Sequence, residues 1–493
     1  MRVSRLPGRR CFGVIGGLGP LASADVFFKL VKSTPALSDA EHFDVIFEQR
    51  SFAQAASNDL ATALTERKLY VFDMIREFER RGVNAVVLPC FLSHTFMTEL
   101  KAESNLPIVD MLEALRAYIA RRFPAARRIG VLTSQYVRDN GLFEHYFAAS
   151  ACELVYPRPA VSGDAVDLAV YGPQGIKAGK LLGAPVELLH DACLDLIAQG
   201  VDLIVPGVTE LSIVLDALGS FNAGNTPVPI LDSNLIYAQY AVSGDFAMRA
   251  KPFKVGVVGG VGPAATADFM QKIIRNTPAA RDQDHIKLLI EQNPQIPDRT
   301  ANLLGDGPDP TIALYATCKK LEAGDADLIA IPCNTAHAFV ERIQPHLRIP
   351  IVNMLTTTAE YLARHFAQLD RVGLLATSGT LDSGVYAKAL AAQGYSAVLP
   401  DPAHQARVMN AIYGPQGVKA GYTSGACMTD ILAAVDYLLA QDIEVIILGC
   451  TELPLLFADP AALGGRPVQL IDPTDVLARQ CVAHALAAAD FPR

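Results

Sequence analysis

Short apolar runs about one strand long alternate along the whole chain with stretches of helical period, a pattern that predicts βα units built around parallel sheets. In the second half the runs predict strands over 253–258, 287–291, 328–332, 371–375 and 444–448. They are continuous in Val, Ile and Leu rather than alternating, as strands buried on both faces require. Between them, 310–322, 353–366 and 428–439 have helical composition. The closing segments 236–247 and 476–488 are expected to be helices that pack back on the first lobe of their own half.

The pattern is written twice. GVIGGLGP (13–20) returns as GVVGGVGP (256–263), and Leu88-Pro-Cys90 with His94 returns as Ile331-Pro-Cys333 with His337, both at a shift of 243 residues (Gly13 to Gly256, Cys90 to Cys333). A repeat near half the length predicts two homologous units, 1–248 and 249–493, divided near 248–252. A weaker repeat lies inside each. Gly256 to Cys333 and Gly373 to Cys450 are both 77 residues, so each half reads as two related α/β lobes, with Cys333 and Cys450 facing one another across a cleft.

Bulk properties narrow the class. Hydrophobic residues make up 51% of the 493-residue chain and charged ones only 19%, which predicts a globular protein. The net charge of −9 argues against nucleic-acid or membrane-surface partners, which need a basic face; a small anion would need basic groups inside its site. No apolar run approaches the roughly 20 residues of a spanning helix. The basic segment 1–10 lacks the apolar core of a signal peptide, so the protein is expected to be cytoplasmic. Nine cysteines without a CxxC pair read mostly as small buried side chains, with no metal site.

Two cysteines stand apart by context. In Pro332-Cys333-Asn334-Thr335-Ala336-His337 a strand ends, and Asn334 and Thr335 are good N-caps for a following helix. The Cys333 thiol would then point into a cleft beside a helix N-terminus, where a thiolate is favoured and a carboxylate can be bound. Gly449-Cys450-Thr451-Glu452 repeats the arrangement at another strand end. A lone cysteine there is most often a space filler; two in matched contexts suggest racemisation. One thiolate removes a proton from a stereocentre and the opposite thiol returns one, with no metal or cofactor. A rival reading, dinucleotide binding at Gly260-Val-Gly262-Pro-Ala-Ala265, lacks an acidic ribose contact downstream.

The motifs GGVGPAAT (259–266), NPQIPDRT (293–300), PCNTAH (332–337), GLLATSGT (373–380), YGPQGVKAG (413–421) and GCTELP (449–454) span nearly the whole second half. In that order they resemble the aspartate/glutamate racemase family, the cofactor-independent two-cysteine amino-acid racemases. The resemblance implies paired Rossmann-like lobes with the site between them. It makes Cys333 and Cys450 the catalytic pair and places Arg299 and Lys419 around the carboxylates of a dicarboxylic amino acid, without pyridoxal phosphate. It also puts Asn334, Thr335 and Thr451 at the substrate's α-carboxylate or amine. Glu452 after Cys-Thr is more like the aspartate branch; it could orient a neighbour or bind the amino group. His337 could tune a thiolate or satisfy a buried hydrogen bond.

The first half departs from this pattern. The shift of 243 carries Asp298 and Arg299 onto Ala55 and Ala56, Asn334 and Thr335 onto Phe91 and Leu92, and Cys450 onto Val208, whereas Tyr171-Gly-Pro-Gln-Gly-Ile-Lys177 is retained. With Cys90 alone this half is expected not to racemise. It reads as a structural or regulatory partner, an intramolecular pseudo-dimer half, with one-cysteine chemistry and homo-oligomerisation left open. Alternatives for the whole chain are a racemase, decarboxylase or isomerase acting on another carboxylate, such as a hydantoin or substituted malonate, or a dicarboxylate sensor without catalysis.

Overall fold

The computed structural model describes residues 10–52, 60–159, 163–224, 226–244, 252–305, 307–457 and 459–488. The chain divides into two compact units between Lys251 and Pro252. The linker expected at 248–252 lies, except for Pro252, outside the described residues.

The first unit opens with β1 (Cys11–Ile15), β2 (Asp44–Glu48), β3 (Ala85–Val87) and β4 (Ile108–Val109), a parallel sheet in the order β2-β1-β3-β4. Its second sheet has β5 (Arg128–Leu132), β6 (Glu153–Val155) and β7 (Leu203–Pro206) in the order β6-β5-β7, extended by a parallel bridge from Ile204 to Ile230. A small antiparallel hairpin, β8 (Phe221–Ala223) with β9 (Thr226–Val228), lies beside it in sequence.

The second unit repeats one topology twice. β10 (Lys254–Gly259), β11 (Lys287–Gln292), β12 (Leu328–Ala330) and β13 (Ile351–Val352) run in the order β11-β10-β12-β13. β14 (Arg371–Leu375), β15 (Ser396–Val398), β16 (Val445–Leu448) and β17 (Gln469–Ile471) run as β15-β14-β16-β17. All pairings are parallel, and Gly256 and Gly373 occupy matching registers opposite Ile329 and Ile446. The doubled α/β lobe expected from the 77-residue spacing is the observed architecture. β12 and β16 are buried throughout, which accounts for their uninterrupted apolar sequence.

Each unit closes with a helix on its own first lobe. Ser233–Ser243 packs on Pro20–Ser33, and Pro473–Ala487 on Pro263–Asn276. The anchor is the same in both: Asp232 and Asp472 cap the closing helix and pair with Lys29 at 2.8 Å and Lys272 at 2.5 Å respectively. No helix among the described residues is long and apolar enough to cross a membrane.

Candidate active site

In an open parallel sheet, the chain leaving a strand's carboxyl end is delivered to the cleft. Cys333 follows β12 through Ile331-Pro332, its N–H donating to the Ile331 carbonyl at 2.7 Å. Cys450 follows β16 through Gly449, whose N–H donates to the Leu375 carbonyl at 2.7 Å. A Cβ at Gly449 would lie 2.8 Å from the Leu374 side chain, so glycine is what lets the strand end hug β14. Both cysteines line one cavity of about 270 Å³, together with Arg299, Tyr413, Lys419 and Glu452. Asn334, Thr335 and Thr451 line it too.

The two thiols have opposite surroundings. Cys450 Sγ donates to Glu452 Oε2 at 3.1 Å. Burial and then the Glu452 charge push this thiol well above its ordinary range, with Lys419 only partly offsetting them. Glu452, also buried, is nevertheless held below the usual carboxylate range by Lys419 and by the Cys450 and Thr451 donors. Lys419 forms an ion pair with Glu452. Burial opposes the Lys419 charge, but Glu452 and Cys450 raise its pKa. Cys333 instead has a cation in its surroundings: Arg299 lines the same cavity, and although burial opposes its charge, attraction to Cys333 raises the guanidinium pKa. The arrangement is chemically a thiol hydrogen-bonded to an anion, with a second cysteine that shares its cavity with a cation.

Arg299 is 7% exposed and clamped from behind. Nη2 donates to the Val261 carbonyl at 3.1 Å and Nη1 to the Pro297 carbonyl at 3.1 Å. The Gly-rich turn carrying Val261 also passes close to Glu452: a Cβ at Gly262, whose φ is +131°, would lie 2.6 Å from Glu452 Oε1. A turn packed against a carboxylate repels a pyrophosphate, which disfavours the dinucleotide reading.

The expected N-cap is corrected. Asn334 already has helical angles (φ −58°, ψ −47°), its side chain caps nothing, and Thr335–Phe339 is a single 3-10 turn. Both side chains are drawn away by partners on the second lobe. Tyr386 donates to Asn334 Oδ1 at 2.6 Å, which leaves the buried Nδ2 without a partner among the described residues. Thr335 joins a hydroxyl chain through Thr380 at 2.7 Å, Thr377 at 3.0 Å from Thr380, and Thr300 at 3.0 Å from Thr377. Thr377, Thr380 and Tyr413 sat inside motifs quoted from the sequence but had no assigned part. Nothing in the sequence singled out Tyr386.

A profile of the Asp/Glu/Hydantoin racemase family matches residues 15–241 and again 258–481. The chain belongs to this racemase family, in tandem. Broad specificity amino-acid racemase RacX of Bacillus subtilis is 27% identical over 241 residues, which cover 47% of this chain and 98% of that protein. Glutamate racemase of Limosilactobacillus reuteri is 33% identical over 162 residues, 32% of this chain and 56% of the relative. The structure of Picrophilus torridus aspartate racemase covers 47% of this chain and 94% of its own, at 29% identity and a TM-score of 0.42.

The two racemase-family units separate structural residues from site residues. His337 does not line the cavity. Its Nδ1 lies 2.9 Å from the Cys333 carbonyl, and its Nε2 accepts from the Met354 N–H at 3.0 Å, which puts the proton on Nδ1. His94 makes the same two contacts, 2.9 Å to the Cys90 carbonyl and 3.0 Å from the Met111 N–H. Burial lowers both imidazoles below 6.5, so both are neutral tethers between a strand end and the next helix.

The first unit also corrects the reading that its site lost its arginine. Ala55 and Ala56, the aligned positions, lie outside the described residues. Arg67, on helix Leu60–Arg80, puts Nη1 3.6 Å from Cys90 Sγ. Aligned position for position, Arg67 falls on Pro310, so the repeat comparison misses it. A usable signal was present: Arg67 sits four residues after Ala63 and four before Val71, on the buried apolar stripe of its helix, where an arginine is costly without a purpose.

Proposed function

We propose that the second unit is a cofactor-independent racemase of an acidic amino acid, aspartate ahead of glutamate, with Cys333 and Cys450 as the two proton-transfer groups. The observation that carries this is the opposed environment of the thiols. Cys450, beside Glu452, holds its proton and acts as acid; Cys333, beside Arg299, acts as base. In the reverse direction Cys450 accepts the proton and Cys333 returns one, with Lys419 and Glu452 holding the Cys450 side electrostatically constant.

Substrate contacts follow from the polar groups that line the cavity, of which Arg299 Nε and Asn334 Nδ2 have no partner among the described residues while the Thr335 and Thr451 hydroxyls would have to exchange theirs. Arg299 offers a guanidinium to a carboxylate, and the unpartnered Asn334 Nδ2 with the Thr335 and Thr451 hydroxyls offers neutral donors to another. Lys419 is committed to Glu452, so its charge supports the site more than it grips the substrate. Glu452 after Cys450-Thr451, the pattern that resembles the aspartate branch of the family, is what puts aspartate first. The likeness to RacX, a broad specificity amino-acid racemase, supports a second reading, racemisation of a wider range of amino acids, those with apolar side chains included. That reading is weaker because an apolar side chain would strip water from Arg299 without replacing it.

The first unit acts as a non-racemising partner, because Val208 leaves no acid on the face opposite Cys90. The test is to follow the circular dichroism of L-aspartate, L-glutamate and a neutral panel with the purified chain and no added cofactor. Aspartate should lose its signal fastest. Racemisation that survives in Cys333→Ser or Cys450→Ser would sink the assignment.

A further inference from the structure

The first unit keeps a cavity that the racemase reading does not use. About 370 Å³ of space is lined by Cys90, Arg67, Lys177 and Glu210, and its remaining wall includes Leu92 and Val208. A second cavity, of about 800 Å³, shares Leu18, Arg67, Tyr171, Lys177 and Glu210 with it, so the two are contiguous. A site that has merely decayed would be expected to fill in, or to lose its buried cation together with its chemistry. This one adjoins a roomier cavity along Arg67, Lys177 and Glu210, and has a guanidinium supplied from a new place in the chain.

We infer that the first unit is a binding site for a small monocarboxylate bearing an apolar side chain, with Arg67 as the carboxylate clamp. Arg67 touches the Cys90 sulfur at 3.6 Å and lies over the Phe52 ring at 5.1 Å. It is half-buried, a position in which a guanidinium pairs with a carboxylate in bidentate fashion. Lys177 is neutralised by its ion pair with Glu210 and donates to the Leu18 carbonyl at 3.1 Å, which leaves Arg67 as the cation of this lining without a carboxylate partner among the described residues.

The walls set the rest of the ligand. Where the second unit presents the Asn334 amide, the Thr335 hydroxyl and the Cys450 thiol, this one presents Phe91, Leu92 and Val208. Phe91 is braced by stacking on Phe143 at 5.7 Å between ring centres. A second carboxylate placed against these three side chains would lose water without a donor from them, the aliphatic hydroxyls of the lining being Ser134 and the Glu210-bonded Thr209; an alkyl or aryl group would gain apolar contact. With one thiol on one face, an acid bound here is held without inversion.

The test uses the full chain carrying Arg299→Ala, which weakens the second site, titrated calorimetrically with 4-methylpentanoate, L-leucine and aspartate. We expect one site per chain for at least one apolar acid, with aspartate at least tenfold weaker, and at least tenfold loss of apolar-acid binding on adding Arg67→Gln. In parallel, the wild-type chain is alkylated with iodoacetamide and each cysteine read by mass spectrometry. 4-Methylpentanoate or L-leucine should protect Cys90, and aspartate should not. This second readout stands even if Arg67→Gln fails to fold. Failure of both apolar acids to protect Cys90, protection by aspartate equal to theirs, or binding unmoved by Arg67→Gln in a folded chain overturns the inference. None of these outcomes depends on racemisation by the second unit.

Discussion

The two units share one electrostatic module almost atom for atom. Lys177 pairs with Glu210 and sits 5.5 Å from the centre of the Tyr171 ring; Lys419 pairs with Glu452 and sits 5.4 Å from that of Tyr413. Thr209 and Thr451 each donate to the neighbouring glutamate at 3.2 Å. An arginine neighbours the first cysteine in both: Arg67 lies 3.6 Å from Cys90, and Arg299 lines one cavity with Cys333. What differs is the group bonded to the module and the groups facing it: Cys450 against Val208, and Asn334 and Thr335 against Phe91 and Leu92. On the proposed mechanism the ion pair and the arginine are not what makes a racemase: the pair sets the charge of a cleft, and the second thiol with its polar neighbours sets the reaction.

The largest expected effect breaks the comparison at the thiols. Cys333→Ser or Cys450→Ser should each lower kcat about a hundredfold to ten-thousandfold, the usual worth of a general acid or base, while Cys90→Ser leaves it unchanged. Next is the arginine. Arg299→Ala should reduce kcat/KM for aspartate roughly tenfold to a hundredfold, from loss of a charge-assisted bond of about 1.5–3 kcal/mol, and Arg67→Ala should leave that constant within about twofold.

The module itself gives a pH signature. Cys450 must be protonated to act as acid, so activity falls as pH rises through its pKa, which burial and then Glu452 have raised. Glu452→Gln removes the carboxylate and should move the alkaline limb of the pH–rate profile downward; Glu210→Gln should not move it. An unmoved limb in Glu452→Gln would mean that Cys450 is not the acid.

The smallest contrast is between the histidines. His94→Ala and His337→Ala each remove the same two buried contacts and should cost similar stability, about 1–3 kcal/mol for each buried group left unsatisfied, measured by denaturant unfolding. Because burial lowers both pKa values below 6.5, the unfolded chain binds more protons there. Their contribution is therefore complete above about 6.5 and is lost as pH falls below it. Loss of kcat in His337→Ala beyond its loss of folded protein would restore the reading in which His337 tunes a thiolate.

Strand positions, the doubled lobe and the meeting of Cys333 with Cys450 were legible in the sequence because buried parallel strands write continuous apolar runs and glycines mark the strand ends; the order of the strands in each sheet was not. Less legible were contacts made across the lobes. Asn334 and Thr335 have cap chemistry, yet Tyr386 and Thr380, about 50 residues further on, claim their side chains. Arg67 escaped a position-by-position comparison because a side chain that long can reach the same sulfur from a different backbone position. His94 and His337 became interpretable only when their hydrogen bonds proved identical in a unit with one cysteine.

The central claim is that Cys333 and Cys450 address opposite faces of one carbon. Its most direct test is deuterium incorporation at the α-carbon of L- and D-aspartate in heavy water, followed by proton NMR with each single cysteine-to-serine variant. The account predicts that each variant exchanges one enantiomer without inverting it, and that the two variants choose opposite enantiomers. Exchange of the same enantiomer by both, or continued inversion by either, would contradict it.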